Sequence, residues 1–281
     1  EGNRFALYFK MHHAVIDGIA GMRIAQKSLS SDPTTKAVTP LWAIKRDKRS
    51  KEEAKALANF AETINRLRHQ ATSVPKVAKE LYQAIKASYD KDPDYVSVFQ
   101  APRSILNQRV SGSRRFAAQS YSLPRIKAIG KKLGITLNDV VMAMCAGALR
   151  TYLLDLNALP TKPLIAMVPM SLRRDDSDSG NQITMILANL GTHLADPLAR
   201  ADIIHRSVQN AKDRFCRMTQ SEIMAYSALV YSICGLNLLT GIAPKLQAFN
   251  VVISNVPGPK EPMYWNGALL DGFYPVSIVL D

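Results

Sequence analysis

The strongest chemical signal in the sequence is a pair of histidines followed at fixed spacing by an aspartate and a glycine, His12-His13-Ala14-Val15-Ile16-Asp17-Gly18. With five His, fourteen Gly and sixteen Asp in the chain, the pattern His-His-x-x-x-Asp-Gly arises by accident in about one chain in four thousand of this length. A neutral imidazole takes a proton from a hydroxyl or thiol near neutral pH, provided its other nitrogen is held and the tautomer fixed. His13 is the better candidate for that base, with His12 contributing through packing. Asp17 either orients the imidazole or locks the turn through a basic partner. Locking is favoured, because no Ser or Cys sits in a nucleophile signature such as Gly-x-Ser-x-Gly that would complete a triad. Two further readings stay open: satisfied core or surface histidines, and metal ligands. Adjacent strand residues point to opposite faces, which makes joint ligation awkward, and Cys145, Cys216 and Cys234 have no ligand spacing, so no metal site is expected.

The elements around the motif explain how the imidazoles would be presented. Residues 4–11 alternate Phe5, Leu7, Phe9 and Met11 with Ala6, Tyr8 and Lys10, the period of a strand. After Gly18 the spacing of Ile19, Met22, Ile24 and Ala25 is helical, and Gly18 sits at the joint, where a missing Cβ permits a sharp turn. A polar loop over 31–39 follows. Two basic amphipathic helices are expected next, at about 48–70 and then from Ser73. They either pack on their own domain or lie on a membrane surface. The loosest stretch, 89–98, places a domain boundary near Gln100, dividing the chain into 1–100 and 101–281.

The second part alternates short strands and helices. Arg103, Arg109, Arg114 and Arg115 surround Gly112 ahead of a strand over 116–123; Arg114-Arg115 is either a phosphate-binding cluster or an ordinary strand-edge charge pair. A helix over 124–134 is ended by Gly134. Thr136 or Asn138 caps the next, an apolar helix running to Leu156. Buried strands are expected over 164–172 and 182–191, with Arg173 a candidate partner for Asp17. Helices follow at 197–217 and 221–240. His193 is expected at the surface and His205 in a structural role. A strand over 249–254 is broken by Asn255-Val256-Pro257-Gly258-Pro259, and two more strands, 265–270 and 272–280, are expected around a turn at Asp271-Gly272.

Bulk properties narrow the class. A chain of 281 residues, 47% hydrophobic and 21% charged, is globular rather than disordered and long enough for two cores. No apolar run reaches the roughly eighteen residues needed to span a bilayer, and the first residues lack the pattern of a signal peptide. Three scattered cysteines in apolar helical surroundings indicate reduced, buried thiols and a cytoplasmic setting. The net charge of +13 calls for an anionic partner or surface, or serves solubility. Nucleic acid is disfavoured, because aromatics make up only 7% and no zinc-finger spacing or ribonucleoprotein motif occurs.

The His motif resembles the active-site motif of the CoA-dependent acyltransferase superfamily. Three later segments, Leu137-Asn138-Asp139-Val140-Val141, Val168-Pro169-Met170-Ser171-Leu172-Arg173 and Ile253-Ser254-Asn255-Val256-Pro257-Gly258-Pro259, make the chain similar to the bacterial bifunctional wax ester synthase/diacylglycerol acyltransferase family. That resemblance implies an α/β fold of two chloramphenicol acetyltransferase-like sandwich domains, the first incomplete here. Such enzymes have a segment before the His motif and residues beyond the position of Asp281, so the chain reads as the larger C-terminal part of one, with the missing N-terminal segment as its partner. The implied activity is O-acyl transfer from acyl-CoA to a long-chain alcohol or diacylglycerol. His12, His13, Asp17, Gly18 and Asn138 are the implied catalytic set, and no cofactor is needed beyond acyl-CoA as co-substrate. Asn138 is then an oxyanion donor, or else an ordinary first-turn residue. Asn255, with Arg114 and Arg115, is placed along the path of acyl-CoA, although the turn at Asn255 is equally a simple strand terminator. A site peripheral to the inner membrane or lipid inclusions follows. The competing readings are a condensation-type acyltransferase of the same superfamily and a non-catalytic protein of lipid surfaces.

Overall fold

The computed structural model describes residues 4–11, 18–44, 96–97, 100–108, 111–171, 183–217, 223 and 247–276. The chain forms two compact units, Glu1–Glu52 with Asn255–Pro275, and Glu53–Ser254 with Val276–Asp281. The mixture of helices and strands is α/β, as the alternating sequence pattern requires.

Among the described residues the larger unit is built on a three-stranded sheet in the order β2-β1-β3, formed by β1 (Ile165–Ser171), β2 (Ile183–Asn189) and β3 (Val251–Val252). β1 runs antiparallel to β2, with Ile165 opposite Asn189 and Ser171 opposite Ile183, and parallel to β3. Its unbroken apolar run is that of a strand covered on both faces. Leu164, Ala166 and Val168 join Ile186, Ala188 and Leu190 on one face, while Ile165, Met167 and Leu187 meet Val96 and Ala248 on the other.

Among the described residues this unit holds the helices α2 (Leu123–Leu133), α3 (Leu137–Asp155) and α4 (Pro197–Arg217). Met142, Ala146 and Leu153 of α3, and Ile204, Val208, Ala211 and Phe215 of α4, fill the first face of the sheet. Their spacing places them on one stripe of each helix, and each larger side chain contributes about 1.5–3 kcal/mol by leaving water. Among the described residues, no single helix is long and apolar enough to cross a membrane.

Helix ends follow local chemistry. Gly134, at φ +68°, ends α2, and the Ile135 N–H donates to the Gly130 carbonyl at 3.0 Å, the usual αL closure. Asp196 caps α4, accepting from the N–H groups of Leu198 at 3.2 Å and Ala199 at 3.0 Å. Gly191, at φ +58°, lies between β2 and α4, and a Cβ there would stand 2.6 Å from Ile203 Cγ2. Gly191→Ala therefore meets both a backbone penalty and a clash. It is expected to cost about 2 kcal/mol, measurable as a lower denaturation midpoint with an unchanged slope.

The smaller unit contains α1 (Gly18–Lys27), a 3₁₀ turn at Leu41–Ala43, and a hairpin of β4 (Tyr264–Trp265) and β5 (Ala268–Leu269). Buried Ser28 closes α1 by donating its hydroxyl to the Ala25 carbonyl at 2.7 Å. Ser30 then exchanges two backbone hydrogen bonds with Tyr264, at 2.9 and 2.7 Å. Asn266 Oδ1 accepts the Val38 N–H at 3.2 Å. The loop over 31–39 is thus held against the hairpin turn.

Several expected strands are corrected. Residues 4–11 form no strand, and Phe5, Leu7, Phe9 and Met11 are exposed. Alternation assigns faces, but a strand also needs a neighbour to satisfy its N–H and C=O groups; among the described residues none pairs with this one. Residues 116–122 are exposed and likewise form no strand among the described residues, while α2 begins at Leu123. The strand over 249–254 shortens to Val251–Val252. At the C-terminal end the turn is Asn266-Gly267, at φ +48° and +87°, instead of Asp271-Gly272, because Asn-Gly readily supplies the two positive φ angles of a two-residue hairpin loop. No strand occurs over 270–276. The helices expected at 48–70, from Ser73 and at 221–240 lie outside the described residues, as does Arg173, apart from Ile223, which is helical.

Candidate functional site

His12, His13 and Asp17 lie outside the described residues. Their neighbour Gly18 is the first residue of α1. Of the remaining candidates, Asn255 belongs to the smaller unit, while Asn138, Arg114 and Arg115 belong to the larger.

The start of α3 carries the densest polar geometry. Thr136 is its N-cap: the Thr136 hydroxyl accepts the Asp139 N–H at 3.2 Å, and Asp139 Oδ2 accepts the Thr136 N–H at 2.9 Å. This reciprocal capping box settles the choice between Thr136 and Asn138 in favour of Thr136. Asn138 occupies the second helical position, is half-buried, and has no hydrogen-bond partner among the described residues. Its amide is thus available at the positive end of a helix of nineteen residues. Removing the cap, by Thr136→Ala, is expected to lower stability by about 1 kcal/mol, as a chemical-denaturation comparison would reveal.

Asp139 is fully buried, and His205 Nδ1 reaches its Oδ2 at 2.8 Å from α4. A carboxylate only accepts, so Nδ1 carries the proton. Asp139 Oδ1 has no partner among the described residues. His205 was expected to be structural; the structure makes it the cross-helix partner of Asp139. Only the tertiary packing of α3 on α4 joins two residues 66 positions apart.

The basic cluster is open to solvent. Arg114 and Arg115 are exposed, and an Arg114 NH group donates to the carbonyls of Ser111 and Ser113. Asn255 is exposed too, and nothing lies within 4 Å of a Cβ placed on Gly258. Among the described residues no three His, Cys, Asp or Glu side chains group as metal ligands.

Two other expectations change. His193 is half-buried rather than at the surface, and its Nδ1 is shielded without a partner among the described residues. Burial, and next the Arg150 guanidinium, hold its imidazole below the ordinary value of 6.5. The unfolded chain then binds the proton more readily, so stability is lost as pH falls below that ordinary value. His193→Gln is expected to narrow the difference in melting temperature between about pH 8 and about pH 5. Of the thiols expected to be buried, Cys145 is half-buried, with burial pushing its pKa up, whereas Cys216 is exposed because Phe215 takes the inward position on the last turn of α4. Cys234 lies outside the described residues.

A family model described as the wax ester synthase/diacylglycerol acyltransferase catalytic domain matches residues 1–141, and one for the WS/DGAT C-terminal domain matches residues 179–281. The chain is 58% identical over 283 residues to the O-acyltransferase WSD of Acinetobacter baylyi, covering 100% of this chain and 61% of that protein. It also matches the solved wax ester synthase/diacylglycerol acyltransferase of Marinobacter aquaeolei VT8, with 42% identity and a TM-score of 0.68 over 96% of this chain and 56% of that one. The chain therefore spans about three fifths of the length of such relatives.

Proposed function

Because the chain belongs to the wax ester synthase/diacylglycerol acyltransferase family, we propose that it acts as an acyl-CoA-dependent O-acyltransferase, with a long-chain alcohol or a diacylglycerol as acceptor. The observation that carries this reading is the His-His-x-x-x-Asp-Gly motif ending where α1 begins. His13 removes the proton of the acceptor hydroxyl, and the oxygen attacks the thioester carbonyl. The tetrahedral oxyanion is met by a donor such as the Asn138 amide, supported by the positive end of α3. When the C–S bond breaks, the protonated His13 returns its proton to the CoA thiolate. No covalent acyl-enzyme forms, in keeping with the absence of a nucleophile signature, and acyl-CoA is a co-substrate with no further cofactor.

Around this centre, Asp17 with Arg173 holds the His loop in shape, Gly18 makes the joint, and His12 packs behind the base. Arg114 and Arg115 attract the CoA phosphates, and Asn255 lines the path of the acyl chain. The domain division near Gln100, the partnership with the family's N-terminal segment, and a cytoplasmic position peripheral to the inner membrane or lipid inclusions belong to the same proposal. Its test is thiol release from palmitoyl-CoA by the complete protein, with hexadecanol and then diacylglycerol as acceptor. Release that depends on either acceptor is expected. No release with either acceptor, together with binding to lipid vesicles, would replace this reading by the non-catalytic lipid-surface one.

A further inference from the structure

Capping alone does not account for Asp139. A capping-box carboxylate does its work as well in contact with water, yet this one is fully buried with one oxygen unpartnered among the described residues. Taking a carboxylate out of water is expensive, and two donors on one of its oxygens seldom recover that cost. An arrangement poor in stability but fixed in geometry belongs where geometry matters. The imidazole holding it comes from the middle of α4, a helix anchored in the core through Ile204 and Val208 on either side of His205. The side chain that α4 places against the Asp139 carboxylate is therefore mounted on a rigid element, and the residue preceding Asp139 is Asn138.

We propose that His205 is a positioning residue: by holding the Asp139 carboxylate, it fixes the first turn of α3 and thereby the direction of the Asn138 amide. The proposal rests on the acyltransferase reading, in which that amide meets the oxyanion. His205 touches no substrate. Without its Nδ1–H, Asp139 retains, among the described residues, only the Thr136 N–H on Oδ2, and the first turn is free to shift. A displacement of about 1 Å at a donor costs on the order of a hundredfold in rate.

Steady-state transfer from palmitoyl-CoA to hexadecanol by the complete protein tests this. His205→Leu is expected to lower kcat about ten- to a hundredfold while KM for palmitoyl-CoA changes less than about twofold. His205→Asn, whose side-chain amide places a donor at the same branch position as Nδ1, is expected to recover most of the rate. On an Asn138→Ala background, His205→Leu is expected to cost less than about twofold more, since the group it positions is gone. A purely structural role moves the melting temperature but makes the two substitutions additive. Amide exchange at residues 137–139 is expected to accelerate in His205→Leu, with the later turns of α3 unchanged. If His205→Leu does not fold, His205→Gln takes its place, its donor one carbon further out. Equal losses on both backgrounds, or an Asn variant as slow as the Leu variant, would overturn the positioning role while leaving the acyltransferase reading intact. A wild type without transfer to any acceptor would end that reading instead, and unchanged exchange at 137–139 would then end the positioning role as well.

Discussion

His13→Ala in the complete protein is expected to lower acyl transfer by about 10²- to 10⁴-fold while leaving acyl-CoA binding nearly intact. The reason is the chemistry of the step. An alcohol hydroxyl is a weak nucleophile until its proton is taken, and in the proposed site that task falls to the His13 imidazole. His12→Ala is expected to cost far less, through packing. Single-turnover rates with hexadecanol, beside equilibrium binding of palmitoyl-CoA, separate the two. Complete and equal loss in both variants, with native folding, would show that the roles are misassigned.

Asn250→Ala is expected to remove about 3–4 kcal/mol of stability. Asn250 is buried next to β3. Its Oδ1 accepts the Ile165 N–H at 2.9 Å, and its Nδ2 donates to the Pro102 carbonyl and to Asn107 Oδ1, each at 2.8 Å. Asn107 answers by donating to the Asn250 carbonyl at 3.2 Å. One side chain thus joins β1, the segment around residues 102–107 and the chain leading into β3. Alanine strands the buried Ile165 N–H along with two acceptors, and each unpaired buried group costs about 1–3 kcal/mol. Urea denaturation checks the figure. A loss below about 1 kcal/mol, within the worth of a single ordinary hydrogen bond, would mean that water replaces these contacts freely.

Nothing in the sequence around Asn250 marked it as a junction, since its partners lie 85, 143 and 148 positions away. The same holds for His205, whose helical position was legible but whose partner was not. Local signals fared better. The glycine stop of α2 at Gly134, the span of α3 from just after Thr136 to Asp155, and the buried character of β1 and β2 all follow from turn chemistry, capping and periodicity within a few residues. The misplaced hairpin turn was legible too, because Asn266-Gly267 is the stronger signal and Asp271-Gly272 the weaker.

By itself the sequence determined the family, through the His motif and three short segments, together with the helices whose ends are set by neighbours in the chain. Helical hydrogen bonds close over four residues, so local composition suffices for them. Tertiary structure decided which alternating stretches become strands, because a ladder needs a second chain segment that periodicity does not name. It also decided that Asp139 faces inward to His205 while Asn138 keeps its amide without a partner among the described residues, since that division depends on where α4 packs against α3.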